Sequence, residues 1–180
     1  MISLPFRRQT QDPSVARLYG MIVAQARSPS FYRDYGVPDT VAGRLDMIVL
    51  HLALVLRRFK HGSLATQSAG QEVFNLFCRD IDDNFREMGV GDLAVPKQMR
   101  RVGEAYYGRA AAYESALDVG EDALVEALTR NIFGKPADGA RRLALYVGEL
   151  VATLAAQEDF SGGALRFPDP MTIAQAREPI

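Results

Sequence analysis

Asp80 and Asp83, three residues apart in the run Arg79-Asp80-Ile81-Asp82-Asp83, are the spacing in this sequence best suited to chemistry. On a helix they share one face, the geometry by which helical proteins offer carboxylate oxygens to Mg²⁺. Such a site needs a second acidic helix opposite, for which Glu114, Asp118, Glu121 and Asp122 are available. The competing reading is a solvated face, or one paired with arginines. His51 stands inside Val49-Leu50-His51-Leu52-Ala53, where a hydrogen-bonded core imidazole is a simpler reading than a ligand or general base. Asp46, five residues before it, is not at contact spacing on the same helix face. Cys78, among Phe74, Phe77 and Ile81, reads as a structural thiol, since no helix N-terminus beside it would lower its pKa. There is no His-Glu-x-x-His, no Gly-x-Ser-x-Gly and no Walker-type loop. This inventory names no catalytic residue, no metal ligand and no cofactor.

The remaining chemistry is cationic. Of 21 Lys and Arg residues, 18 are Arg, which brings a planar fork of donors. Residues 1–33 hold Arg7, Arg8, Arg17, Arg27 and Arg33 against Asp12 alone, a local balance of +4. On a helix opened by Pro96, Lys97, Arg100 and Arg101 fall on one side while Met99, Val102, Tyr106, Tyr113 and Leu117 fall on the other. Tyr107 borders the basic stripe. A basic face beside an aromatic is compatible with RNA, acidic lipid or an acidic partner, although charges on an exposed helix face are more often plain solubilising groups. Acidic stretches at 72–92 and 114–126 offset these cations, leaving a net charge of -1 over 180 residues.

The elements that must carry these residues are helices. The sequence is 48% hydrophobic, which together with the low net charge excludes disorder, and its single Cys excludes an internal disulfide framework. Asp12-Pro13 is a cap followed by Pro at the first helical position, and Val15, Leu18, Ile22 and Ala26 follow at helical spacing. Further helices are predicted from Asp39 or Thr40 to about Lys60, from between Ser63 and Gln71 to Gly89, from Pro96 to about Leu117, over 121–133, and from Asp138 to about Gln157. The connector Phe31-Tyr32-Arg33-Asp34-Tyr35-Gly36 is aromatic but not periodic. No alternating strand pattern occurs. The expectation is an all-α single domain, 1–180, of about six helices, with a helical core over about 13–158 and irregular termini at 1–11 and 159–180. The most apolar window, Leu45 to Leu56, falls short of the ~20 residues that span a bilayer. No signal-peptide pattern opens the chain, so a cytoplasmic protein is expected, peripheral at the inner membrane if its basic face meets lipid.

Two stretches resemble a known family. The first is Ile22-Val23-Ala24-Gln25-Ala26-Arg27-Ser28-Pro29-Ser30-Phe31-Tyr32, with Gly36-Val37-Pro38-Asp39-Thr40 and Gly43-Arg44-Leu45-Asp46. The second is Arg86-Glu87-Met88-Gly89-Val90-Gly91-Asp92-Leu93, with Val95-Pro96-Lys97, Tyr107-Gly108-Arg109 and Ala112-Tyr113. In this order they resemble the two blocks of the ubiquinol-cytochrome c chaperone family, over about Leu18 to Leu117. The resemblance implies an all-helical, non-enzymatic assembly factor for the ubiquinol-cytochrome c reductase, of the shorter bacterial kind. It further implies newly made cytochrome b as client, action near the ribosomal exit, and a small partner protein.

A holdase for apolar helices must expose apolar surface without aggregating. Phe31, Tyr32, Arg33 and Tyr35 are the candidate lip of a client groove, against which the turn carrying Met88, Val90 and Leu93 would pack. The alternative for the aromatics is to plug a helix corner. Lys97, Arg100 and Arg101 would face ribosomal RNA or anionic lipid. The competing functions are a metal-dependent enzyme using Asp80 and Asp83, and an RNA-binding regulatory module. Oligomeric state has no signal in the sequence.

Overall fold

The computed structural model describes residues 12–158, 160 and 164–175. Helix α1 is Pro13–Ala26, with the Asp12 carboxylate accepting from the Ser14 backbone N–H at 2.9 Å. A one-turn helix α2, Pro29–Arg33, follows. Thr40 caps α3, Val41–Lys60, by accepting from the Gly43 N–H at 3.0 Å, and Ser63 caps α4, Leu64–Glu87, through the Thr66 N–H. Helix α5 is Val95–Val119. Helix α6, Glu121–Leu128, widens into a π-helical turn, Thr129–Phe133, before Gly134. Helix α7 is Asp138–Ala155 and a short α8 is Pro170–Gln175. Among the described residues there is no strand. The six long helices fall where the periodicity places them, so the chain is all-α.

Helix α3 is the axis of the core. Every residue from Met47 to Val55 is buried, and such a helix must be surrounded by others. Helices α1, α4, α5 and α7 pack around it. Helices α4 and α5 form a hairpin joined by ring contacts of Phe74 and Phe77 with Tyr106, at 4.8 and 6.2 Å. Between Phe77 and Tyr106 the only buried side chain is Val95, so the end of the hairpin rises away from the core. Among the described residues no helix is long and apolar enough to cross a membrane.

Two expectations need correction. The aromatic connector is partly helical, being α2. The tail beyond 158 is irregular over 164–169 but then forms α8, and its described part is tied down. Phe160 and Leu165 are buried. The Arg58 guanidinium donates to the Leu154 and Gln157 carbonyls at 3.0 and 2.9 Å and lies over the Phe160 ring. The Gln157 amide donates to Ala164 O and accepts from the Arg166 N–H. Tyr35 and Gln25 hold the Pro170 and Pro168 carbonyls. Carbonyl acceptors of a proline-rich segment leave no periodic trace, which is why the sequence reads as irregular there. The expected irregular segment 1–11, with Arg7 and Arg8, lies outside the described residues, as do 159, 161–163 and 176–180.

Candidate functional site

The connector aromatics turn inward. Phe31 is fully buried, with its ring edge-on to Tyr146 at 4.8 Å and to His51 at 5.4 Å. Tyr35 is buried beside it, at 5.3 Å from Phe31, and donates its hydroxyl to Pro170 O at 2.7 Å. His51 completes the knot. Its Nδ1 lies 2.8 Å from Met47 O and its Nε2 lies 2.9 Å from the Tyr146 hydroxyl. A carbonyl only accepts, so Nδ1 carries the proton and Tyr146 donates to Nε2, while the Gln25 amide donates to the Tyr146 oxygen at 3.0 Å. Full burial pulls the His51 pKa down to about 4, so the imidazole is neutral. Phe31 and Tyr35 therefore plug the corner where α2, α3, α7 and the tail meet, and in this conformation neither offers a surface to a client. Tyr32 is half-buried with its hydroxyl on Ala26 O, and Arg33 is exposed and paired with Asp34 at 2.7 Å.

The second group of candidates sits at the hairpin end. Gly89, with φ +80°, lets the chain reverse after α4, and the Val90 N–H returns to Phe85 O at 3.0 Å. Arg86 staples the turn by holding Asp82 of its own helix at 2.7 Å and Asp92 of the turn at 2.5 Å. The staple leaves Met88 63% and Leu93 99% exposed, with Val90 half-buried between them. The structure does not bring this turn to the connector: the connector's bonds go to α1, α7 and the tail, and the turn's go to α4. Lys97, Arg100 and Arg101 are exposed along α5 just beyond the turn. Arg100 faces Glu104 at 3.6 Å, while Lys97 and Arg101 have no ion pair among the described residues. Met99 and Val102 are half-buried and Tyr106 and Tyr113 buried on the other side, as an amphipathic helix requires.

The carboxylates weighed for the alternative metal site are, Asp83 aside, engaged elsewhere. Tyr19 of α1 donates to Asp80 Oδ2 at 2.7 Å, and Asn84 donates to the Asp80 carbonyl. Glu114 and Asp118 face Lys60 and Arg57 of α3, each at 3.7 Å, and Glu121 and Asp122 hold Arg141 of α7. Among the described residues no three His, Cys, Asp or Glu side chains are grouped to hold a metal ion. In this arrangement Asp80 fastens α1 to α4. Cys78 is half-buried, and burial pushes its thiol pKa up.

A family model described as Ubiquinol-cytochrome C chaperone matches residues 33–166. The chain belongs to the ubiquinol-cytochrome C chaperone family. It is also similar to a solved structure described as the Cbp3 homolog from Brucella abortus, with a TM-score of 0.81 and 38% identity over 88% of this chain and 90% of that one. No curated protein matches. The family span starts at Arg33, inside the first sequence block, and continues past Asp138, where the sequence alone shows no recognisable motif.

Within that span the two blocks meet at a contact that sequence reasoning misses. Arg109 of the second block holds Asp46 of the first at 2.8 Å, bridging α5 and α3, with side chains 24% and 15% exposed. Burial raises the Asp46 pKa and Arg109 pulls it back. Opposite charges on the otherwise apolar inner faces of the two helices are the signal that could have paired them. Arg109→Ala strands the carboxylate and is expected to cost about 1–3 kcal/mol, less than a fully buried pair would. A double-mutant cycle with Asp46→Ala in urea should recover a coupling above about 0.5 kcal/mol; strict additivity would show that the contact does nothing for stability.

Proposed function

We propose that this chain is a non-enzymatic assembly chaperone for the ubiquinol-cytochrome c reductase and that newly made cytochrome b is its client. The carrying observation is the family match over 33–166. The hairpin end supports the reading physically. Nascent membrane helices present long apolar faces, and a holdase meets them with exposed, adaptable apolar side chains on a rigid support. Met88 and Leu93, with Val90 behind them, are such groups, and the Arg86 staple to Asp82 and Asp92 is the support. The basic flank Lys97, Arg100 and Arg101 suits a polyanionic surface beside the client, ribosomal RNA or anionic lipid, where the protein would sit peripherally. Reversing all three charges with no change in ribosome or membrane co-sedimentation would remove that role. A small partner protein belongs to the same reading.

Deleting the gene should lower both cytochrome b and assembled reductase, and wild-type expression should restore them. Normal levels of both would overturn the proposal. Complementation with Met88→Asp/Leu93→Asp should fail although the variant accumulates folded, because both side chains are exposed and such substitutions change stability by only about 0.5 kcal/mol. Full rescue would move the client contact elsewhere on the surface.

A further inference from the structure

A cleft of about 390 Å³ is lined by Arg27, Pro29, Tyr32, Arg33, Asp39 and Arg44. Three arginines reach it from three elements: Arg27 from the end of α1, Arg33 from α2 and Arg44 from the first turn of α3. We propose that this cleft is a binding site for a phosphate group.

The arrangement of free donors favours that chemistry. Arg33 spends its Nε and one Nη on Asp34, at 2.7 and 2.8 Å. Among the described residues Arg44 spends only its Nε, on Asp39 at 2.7 Å, and its guanidinium lies over the Tyr32 ring at 5.8 Å, so there both of its Nη groups remain for a ligand. Arg27 is exposed and has no ion pair among the described residues. Asp39 is the single acid in the lining, against three cations. A carboxylate has two oxygens and fills one guanidinium fork; a phosphate has enough oxygens to join Arg27 to the Nη groups of Arg44 without displacing Asp39. The Tyr32 hydroxyl is already committed to Ala26 O, which fixes the ring as a wall of the cleft. The site shares Tyr32 and Arg33 with the candidate lip of the sequence reading but has no residue on the hairpin turn, where the client contact is proposed.

Free phosphate and a phospholipid headgroup carry the same chemistry, and the test separates them. The full chain is titrated with inorganic phosphate at constant ionic strength, with amide shifts read by NMR. Saturable shifts are expected at residues 27, 32 and 44, weakened at least tenfold by Arg27→Glu and unchanged by Lys97→Glu. Arg27 is exposed and has no ion pair among the described residues, so its variant should melt cooperatively within a few degrees of the wild type. Acetate at the same ionic strength should shift these amides at least tenfold more weakly. Equal response to acetate, or a titration that ignores Arg27→Glu, overturns the proposal. Flotation with phosphatidylcholine vesicles, with and without phosphatidylglycerol, names the source. Binding to the anionic vesicles that Arg27→Glu abolishes assigns a headgroup, and phosphate binding without flotation assigns a soluble phosphate. Absence of both overturns the proposal.

Discussion

Replacing Gly139 by alanine is expected to destabilise the fold by about 3 kcal/mol or more, the upper end of what overpacking a core costs. The first turn of α7 passes directly over α2's exit, and a Cβ at 139 would overlap the Tyr35 carbonyl oxygen, lie 2.8 Å from its carbon and 3.3 Å from the Phe133 ring. Neither side can give. Tyr35 is held by its hydroxyl on Pro170 O and by its ring against Phe31, and the neighbouring Asp34 carbonyl is gripped by Arg142 of α7 itself. The clash is with backbone, so no side chain can swing away. Gly108 is the control: it lies in the interior of α5, where an added Cβ meets nothing within 4 Å, and Gly108→Ala should be neutral or stabilising by up to about 1 kcal/mol. Urea unfolding of the two variants decides the matter. Equal midpoints would refute the close-approach account of Gly139.

Gly139 also shows where sequence reading stops. The long helices were legible because their ends carry local chemistry: Asp12-Pro13, Thr40 with Gly43, Ser63, and Gly134 with Pro136 each satisfy or interrupt the backbone within a few residues. The family was legible because two blocks stand in the right order. Their physical reasons are now visible: the first contains the α3 cap and a glycine under the Pro38 carbonyl, and the second contains the Arg86 staple and the Gly89 reversal. What stayed hidden depends on partners distant in sequence. Nothing near His51 announces Tyr146, 95 residues on, and nothing near Asp46 announces Arg109. The direction of the connector aromatics was undecidable for the same reason. A short aromatic run has no periodicity to say which side is core, so Phe31 and Tyr35 read as a groove lip or, as aromatics in a connector more often do, as a corner plug. At the hairpin, the sequence located Met88, Val90 and Leu93 but not their unequal exposure, which the staple sets.

The buried histidine should make stability depend on pH within a window of its own. Folded His51 has a pKa of about 4, against about 6.5 when unfolded, because burial disfavours the cation. Between those values the unfolded chain binds a proton that the folded chain refuses, so stability falls as pH drops, at up to about 1.4 kcal/mol per pH unit. Below pH 4 both states are protonated at this site and its contribution levels off. The total loss between pH 7 and pH 4 is about 3 kcal/mol, enough to matter for a marginally stable fold. The carboxylates act elsewhere on the scale. Asp34, Asp39 and Asp169 are held below their ordinary values by hydrogen bonds, so their stabilisation is lost only as pH falls below about 4. Asp46, raised by burial, works in the opposite direction. Changing His51 to Phe removes the titrating group and leaves the Tyr146 hydroxyl without its acceptor, so the variant should be weaker at pH 7 by about 1–3 kcal/mol. Its stability should nevertheless no longer decline from pH 6.5 to 4.5, where that of the wild type does. Urea titrations at half-unit intervals across that range provide the slopes. If both proteins show the same slope, His51 is not the group that couples this core to acid.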